Sequence, residues 1–204
     1  MSAPPKTVIE ASPEEAEAIR RAVRAVDAES LGMGRVRADL SHVPGLVALL
    51  SDERVSGPIY DLPRPITEET VTRWVAENQA QMLAGEALLL VTLDDIGRVA
   101  GYSRITVWPE HASAELAGAL RADLQNRGQG GLGMALTFGW IFEVLGARLI
   151  CLTAALDNVR SQKGIDAAGF RRMGEREAAR PDGTTRRSVY WEMTRDEWRA
   201  LHGG

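Results

Sequence analysis

Asp123-Leu124-Gln125-Asn126-Arg127-Gly128-Gln129-Gly130 closes an apolar, strand-like run and opens a helix with glycines. The first amides of a helix have no partner inside the helix and sit at the positive end of its dipole, so an anion placed there satisfies both. Gly128, Gly130, Gly131 and Gly133 let a ligand approach the main chain where a Cβ would intrude. The stretch therefore reads as a phosphate cradle between a strand and a helix, and the fold depends on which phosphate it holds.

Working outward, Ser113 to Leu120 is the strand that feeds the cradle, and a helix from about Gly130 to Leu145 follows it. That helix is apolar almost all round, which predicts packing on a sheet. Gly146 ends it, and Arg148 to Thr153 reads as a buried strand, so strand, helix and strand imply a parallel pair joined by a right-handed crossover. Upstream, Ala87 to Leu93, the turn Asp94-Asp95-Ile96-Gly97 and Arg98 to Trp108 predict a hairpin. Downstream come a helix from about Asn158 to Ala168, a strand after Gly169-Phe170, a Pro181-Asp182-Gly183 turn and a strand from Arg186 to Met193. Near the start, Ser12-Pro13-Glu14-Glu15 carries an N-cap serine and a first-turn proline, predicting a helix from Pro13 to about Glu29. Arg35 to Leu40 reads as a strand, Ser41 to Leu50 as a helix and Ser51 to Pro65 as irregular. Thr67 caps a helix with Val71, Trp74, Val75, Asn78 and Met82 on one face, stopped by Gly85.

Composition narrows the function. The 204 residues carry a formal charge of −4 with acids and bases interspersed, which argues against a sequence-independent grip on nucleic acid. The apolar runs are too short or too interrupted to span a bilayer, and the first residues lack the apolar core of a signal peptide, so a cytoplasmic protein without a membrane partner is expected. Cys151 is the only cysteine, which excludes an intramolecular disulfide and a cysteine-rich zinc site; no metal is expected.

Two phosphate-binding patterns compete for the glycines. Gly128-Gln129-Gly130-Gly131-Leu132-Gly133 satisfies GxGxxG, with Asp157 near the spacing of a ribose-binding acid, as in a nicotinamide dinucleotide oxidoreductase. The strands before it read as antiparallel hairpins, whereas a dinucleotide fold needs several alternating crossovers. The absence of GxxxxGK[ST] excludes a phosphate-loop NTPase.

The longer pattern QxxGxG, as Gln125, Gly128 and Gly130, resembles motif A of the GNAT acetyltransferases. The resemblance continues through Leu156-Asp157-Asn158-Val159-Arg160-Ser161 to Gly169-Phe170, the end of motif B. Leu46 to Val55, Leu62-Pro63-Arg64-Pro65, Thr67 to Trp74, Ser188-Val189-Tyr190 and Asp196-Glu197-Trp198 look like the ribosomal-protein N-terminal acetyltransferase branch. It implies an α/β GNAT fold: a mixed, mostly antiparallel sheet of about six to seven strands with helices on both faces. Residues 1–33 would be an N-terminal extension with one helix, and 34–204 the acetyltransferase domain.

The resemblance implies acetyl transfer from acetyl-CoA to a primary amine, on a small molecule or a protein N-terminus, by direct attack in a ternary complex; it allows a homodimer. The amides from Arg127 through Gly128, Gln129, Gly130 and Gly131 to Leu132 would hold the coenzyme A pyrophosphate, with the Arg127 side chain nearby. Asn158 would contact the pantetheine arm, Ser161 faces the same way one turn on, and main chain around Leu120 to Ala122 would orient the thioester. A general base still helps a largely protonated amine, and Glu115 is the candidate; its bland alternative is a solvated strand residue paired with Arg104. Many members of the superfamily carry a tyrosine four residues after the position of Ser161, where Ile165 stands, so Ser161 or water would protonate the thiolate. That gap keeps a catalytically degenerate, coenzyme A-binding regulator as the alternative. Trp74, Trp140 and Trp198 read as packing residues on helices, and Cys151 as inert core. Arg171-Arg172 and Arg186-Arg187 read as solvated faces, while Trp108 and Tyr60 are candidates for the acceptor pocket.

Overall fold

The structure, a computed structural model, describes residues 4–59, 61–125, 129–179 and 184–202. Tyr60, the Pro181-Asp182-Gly183 turn and, within the cradle, Asn126, Arg127 and Gly128 lie outside the described residues.

Helix α1 (Pro13–Arg24) starts as expected, with Ser12 Oγ accepting the Glu15 N–H at 3.2 Å. It stops five residues short of Glu29 because local side chains compete for the backbone. Asp27 accepts the Glu29 N–H, and the Ser30 hydroxyl donates to the Asp27 carbonyl. Strand β1 (Arg35–Arg37) is likewise shorter than expected, since Asp39 accepts the Ser41 N–H and turns the chain into α2 (Val43–Leu50). The stretch read as irregular contains one helical turn, α3 (Glu53–Ser56), capped by Asp52. Helix α4 (Glu68–Ala84) is held by the reciprocal Thr67 and Thr70 cap and ended by Gly85 at φ +81°. Strands β2 (Ala87–Leu93), β3 (Val99–Trp108) and β4 (Ser113–Leu120) form the antiparallel meander. Then come α5 (Gln129–Glu143), β5 (Leu149–Ala155), α6 (Val159–Ala167), β6 (Arg171–Ala179), β7 (Thr185–Thr194) and α7 (Arg195–His202).

The seven strands make one sheet in the order β1-β2-β3-β4-β5-β7-β6. Only β4 and β5 pair in parallel among the described residues, which removes the dinucleotide-binding alternative. Period-two alternation assigns the faces. Leu88 and Leu90 on β2 join Ile105, Ile150, Leu152 and Trp191 in a core covered by α1, α5 and α7. Leu89, Val91 and Tyr102 face the other way, under α2 and α4. Each fully buried leucine or valine contributes about 1.5–3 kcal/mol relative to exposure. Ile19 and Val23 of α1 belong to the same core as Phe138 and Phe142 of α5.

Helix α5 packs on the sheet as expected, with one side left open. Phe138, Ile141 and Phe142 meet the sheet, whereas Leu132 and Leu136 on the outer side are exposed. Gly169, at φ +85°, ends α6 and turns Phe170 into the core against Phe138, with ring centroids 4.9 Å apart.

One irregularity of the sheet positions everything functional. β4 and β5 pair from Ser113↔Leu149 to Glu115↔Cys151 and no further, although β4 runs on to Leu120 and β5 to Ala155. Each keeps its other neighbour to the end, as Gly101↔Leu120 and Ala155↔Ser188 show, so the sheet splays into a V.

Candidate active site

A cavity of about 690 Å³ opens at this splay, bounded by both faces of the sheet's gap, by the start of α5 and by α6. Strand ends that diverge leave main-chain groups without ladder partners, which suits a ligand able to hydrogen-bond them.

On the donor side, the Gln125 side chain does not reach into the cavity as a free group. Its Nε2 donates to the Leu120 carbonyl at 2.8 Å and its Oε1 accepts from Arg160, so it ties the end of β4 to α6 and fixes the entry of the cradle. α5 is described from Gln129, and Gly131 in its early part lines the cavity. A Cβ at Gly131 would meet nothing within 4 Å, so a ligand can approach this turn closely. The Leu132 side chain, one residue further, is exposed. Ala122 sits in a 3-10 turn packed on the α2–α4 side and is not on the cavity wall. Leu120 and Gln125 line the cavity. Arg127 and Gly128 lie outside the described residues.

Asn158 caps α6, its Oδ1 accepting the Ser161 N–H at 3.2 Å, and both residues line the cavity. Ile165, one turn later, is buried and presents an apolar surface to the same cavity, so no acid stands there. Asp157 is not an open ribose ligand: it pairs with Arg186 at 2.5 Å, and Arg186 also donates to the Pro58 carbonyl. Arg186 is therefore a clasp between β7, α6 and the chain before α4 rather than a solvated face. Arg171, Arg172 and Arg187 are paired as well, with Glu197, Asp166 and Glu175.

Sequence reasoning missed Arg35. Its guanidinium is buried beneath α5, where one Nη donates to the Gly133 carbonyl at 2.9 Å, and Gly133 leaves the room for it: a Cβ there would meet that nitrogen at 3.2 Å. Its Nε and second Nη have no hydrogen-bond partner among the described residues, and burial lowers its pKa. A buried cation with unfilled donors on the cavity wall fits a ligand that carries negative charge, as coenzyme A does.

On the opposite face of the sheet, Glu115 sits at the point where β4 and β5 part. It is buried, lines the cavity and accepts from Thr153 Oγ1 at 3.1 Å across the gap. Its burial overturns the solvated reading, and Arg104 donates to Asn78 and Gln81 and lies 3.6 Å from Asp61. Cys151 is fully buried, and burial, with the Glu115 carboxylate second, pushes its thiol well up, so it is no ready nucleophile. Trp108 lies at the far end of β3, opposite Ser113, away from the cavity. Tyr60 lies outside the described residues.

Asp61 and Tyr102 complete this side and were not singled out in the sequence. Tyr102 and Arg104 are two apart on β3, so alternation alone would have put them on one face; nothing local marks Asp61, which arrives from the chain between α3 and α4.

The profile of the acetyltransferase (GNAT) domain matches residues 31–171. Among curated proteins no relative matches the chain. Solved structures share the fold. A ribosomal-protein-S5-alanine acetyltransferase from Vibrio fischeri is 16% identical, with a TM-score of 0.68, over 80% of this chain and 93% of its own. A GNAT-family acetyltransferase from Bacillus anthracis is 17% identical, with a TM-score of 0.64, over 80% and 95%. A probable acetyltransferase of the GNAT family from Chromobacterium violaceum is 18% identical, with a TM-score of 0.70, over 97% and 98%. The profile match, over more than half the chain and spanning the splay, the cradle and α6, places this protein in the GNAT acetyltransferase family.

Proposed function

We propose that the protein transfers an acetyl group from acetyl-CoA to a primary amine by direct attack. The observation that carries this reading is the splay of β4 and β5, with the first turn of α5 and the Asn158 cap on its donor side and the buried Glu115 on the other. Acetyl-CoA supplies an activated thioester when bound. Gln129, Gly130 and Gly131 offer helix-start amides to its pyrophosphate; hydrogen bonds to a charged acceptor contribute roughly 1.5–3 kcal/mol each. Arg35 adds positive charge from beneath, and Asn158 and Ser161 border the path of the pantetheine arm.

The acceptor amine must shed a proton to attack. Glu115, held in place by Thr153, accepts it as the new C–N bond forms and the C–S bond breaks; a thiol with a pKa of about 8.5 leaves as thiolate and takes a proton from water or Ser161. The high pKa of the Cys151 thiol favours this route over an acyl-enzyme.

The degenerate, binding-only alternative rests on Ile165. Thiol release measured with acetyl-CoA and a panel of amines and N-terminal peptides separates the two: release that depends on an amine supports the transferase, and silence throughout, despite measurable acetyl-CoA binding, supports the regulator.

A further inference from the structure

The sheet face beneath α5 changes character along its strands. Register sets Leu88, Ile105 and Leu116 side by side across β2, β3 and β4, and that row is apolar. Two residues along each strand the row reads Leu90, Ser103 and Gly118, and two further it reads Arg35, Thr92, Gly101 and Leu120. Residues two apart on a strand share a face, so all three rows look toward α5. The last two thus put hydroxyls, glycines and a cation where packing against a helix calls for leucines. Arg35, Thr92, Ser103 and Gly118 all line the cavity, which therefore extends as a lobe between the sheet and Gly133 and Met134 of α5.

Arg35 stands at the β1 side of this lobe and is only 5% exposed. One Nη donates to the Gly133 carbonyl, which also accepts from Thr137 Oγ1 at 2.7 Å. Its Nε and other Nη have no hydrogen-bond partner among the described residues, and the nitrogen that is bonded meets a carbonyl rather than a carboxylate. A guanidinium carries N–H donors alone, in a planar fork that matches a carboxylate or a phosphate. A buried cation left unpaired is costly, so the group that fits here is an oxyanion brought in through the cavity.

Neighbouring strands stand about 4.8 Å apart, so the three steps from β1 to β4 separate the Arg35 and Leu120 backbones by roughly 14 Å. The arginine side chain spans part of this, and the remainder suits a short acyl chain extended from the end of β4. We propose that the donor is an acyl-CoA whose acyl chain ends in a carboxylate, such as succinyl- or glutaryl-CoA, and that Arg35 seats that carboxylate above the Thr92 and Ser103 hydroxyls. This rests on the acyl-transfer reading above and names the class of group transferred. The amine attacks the thioester carbonyl as before: the C–N bond forms, the C–S bond breaks, Glu115 takes the amine proton and the thiolate leaves. The distal carboxylate does not react and ends free on the amide product. An acetyl group leaves the seat empty. Arg35 is a specificity residue, remote from the bonds that form and break.

The test pairs acidic donors with neutral donors of equal acyl length, succinyl- with butyryl-CoA and glutaryl- with pentanoyl-CoA, beside acetyl-CoA. A panel of amines serves as acceptor for the wild-type, Arg35→Met and Thr92→Val proteins. The expected kcat/KM of an acidic donor is roughly 10- to 100-fold above its neutral match, with the carboxyacyl amide identified by mass. Arg35→Met abolishes that preference through the donor KM and costs the acidic donor at least about tenfold more than it costs acetyl-CoA. Thr92→Val keeps the side-chain shape, reduces the preference severalfold and carries the test if Arg35→Met fails to fold. Equal kcat/KM within both pairs in the wild type overturns the carboxylate seat while leaving acetyl transfer intact. So does a loss in Arg35→Met shared equally by acetyl- and succinyl-CoA, which assigns Arg35 to a phosphate of coenzyme A. No transfer from any donor to any amine overturns the reading beneath it.

Discussion

The two sides of the cavity are built on different principles. The donor side is local in the chain: Gln125, the start of α5 and the Asn158 cap of α6 are set by glycine spacing and capping. The acceptor side is assembled from distant pieces: Asp61 before α4, Tyr102 and Arg104 on β3, Glu115 on β4 and Thr153 on β5. A main-chain site for an invariant group needs particular glycines and caps in a row. A side-chain site for a variable group needs only that the fold bring carboxylates and hydroxyls together.

The sharpest way to break this division is at Glu115. Glu115→Gln should lower kcat about 10²- to 10⁴-fold, the range of general acid–base contributions, with acetyl-CoA affinity unchanged by calorimetry. An equal loss of acetyl-CoA affinity would merge the two sides into one.

Asn158 probes the donor side with a smaller effect. Asn158→Ala should cost about 1 kcal/mol of stability through the lost α6 cap and also weaken acetyl-CoA. Asn158→Ser keeps a capping oxygen, so denaturant midpoints should stay near wild type while acetyl-CoA still binds several-fold more weakly. If serine restores both, the residue is a cap alone.

Asp61 gives the smallest effect and the most discriminating sign. Burial raises its pKa, and the Arg104 charge only partly offsets this. The folded state therefore holds the Asp61 proton more tightly than the unfolded chain. The stability this contributes is full below the unfolded value of about 3.9 and is lost as pH rises through the folded pKa. Asp61→Asn removes this linkage, so its melting temperature relative to wild type should rise as pH is raised from about 4. A relative fall over that range would make Asp61 a structural ion-pair partner of Arg104 instead.

What could be read in advance follows the same line. Ser113 to Leu120 was bounded correctly as a strand because Ala112, at φ +41°, turns the chain before it and the cradle follows it. Gly85, Gly97 and Gly169 all take the left-handed backbone that ends an element or makes a turn, and each was placed as a stop or turn. The misreadings arose where side chains compete locally, at Asp27, Asp39 and Asp52, which shorten or add helical turns that apolar spacing cannot show. Within the site, Gln125 and Asn158 were found by motif but given ligand contacts, whereas their side chains also tie the scaffold together. Glu115 was found by position on the strand, yet its burial follows from the splay of β4 and β5, a tertiary feature with no local signature. Asp61 and Arg35 carry no motif at all; tertiary packing alone brings them to the cavity wall.

The most direct test of the whole account is a single-turnover mixture of the protein with acetyl-CoA, followed by thiol release and by mass spectrometry of the intact protein, before and after an amine is added. Direct transfer predicts no thiol release and no acetylated protein until the amine arrives, then one acetylated amine for each thiol. Thiol released without amine, with acetyl found on Cys151 or elsewhere on the chain, would contradict it.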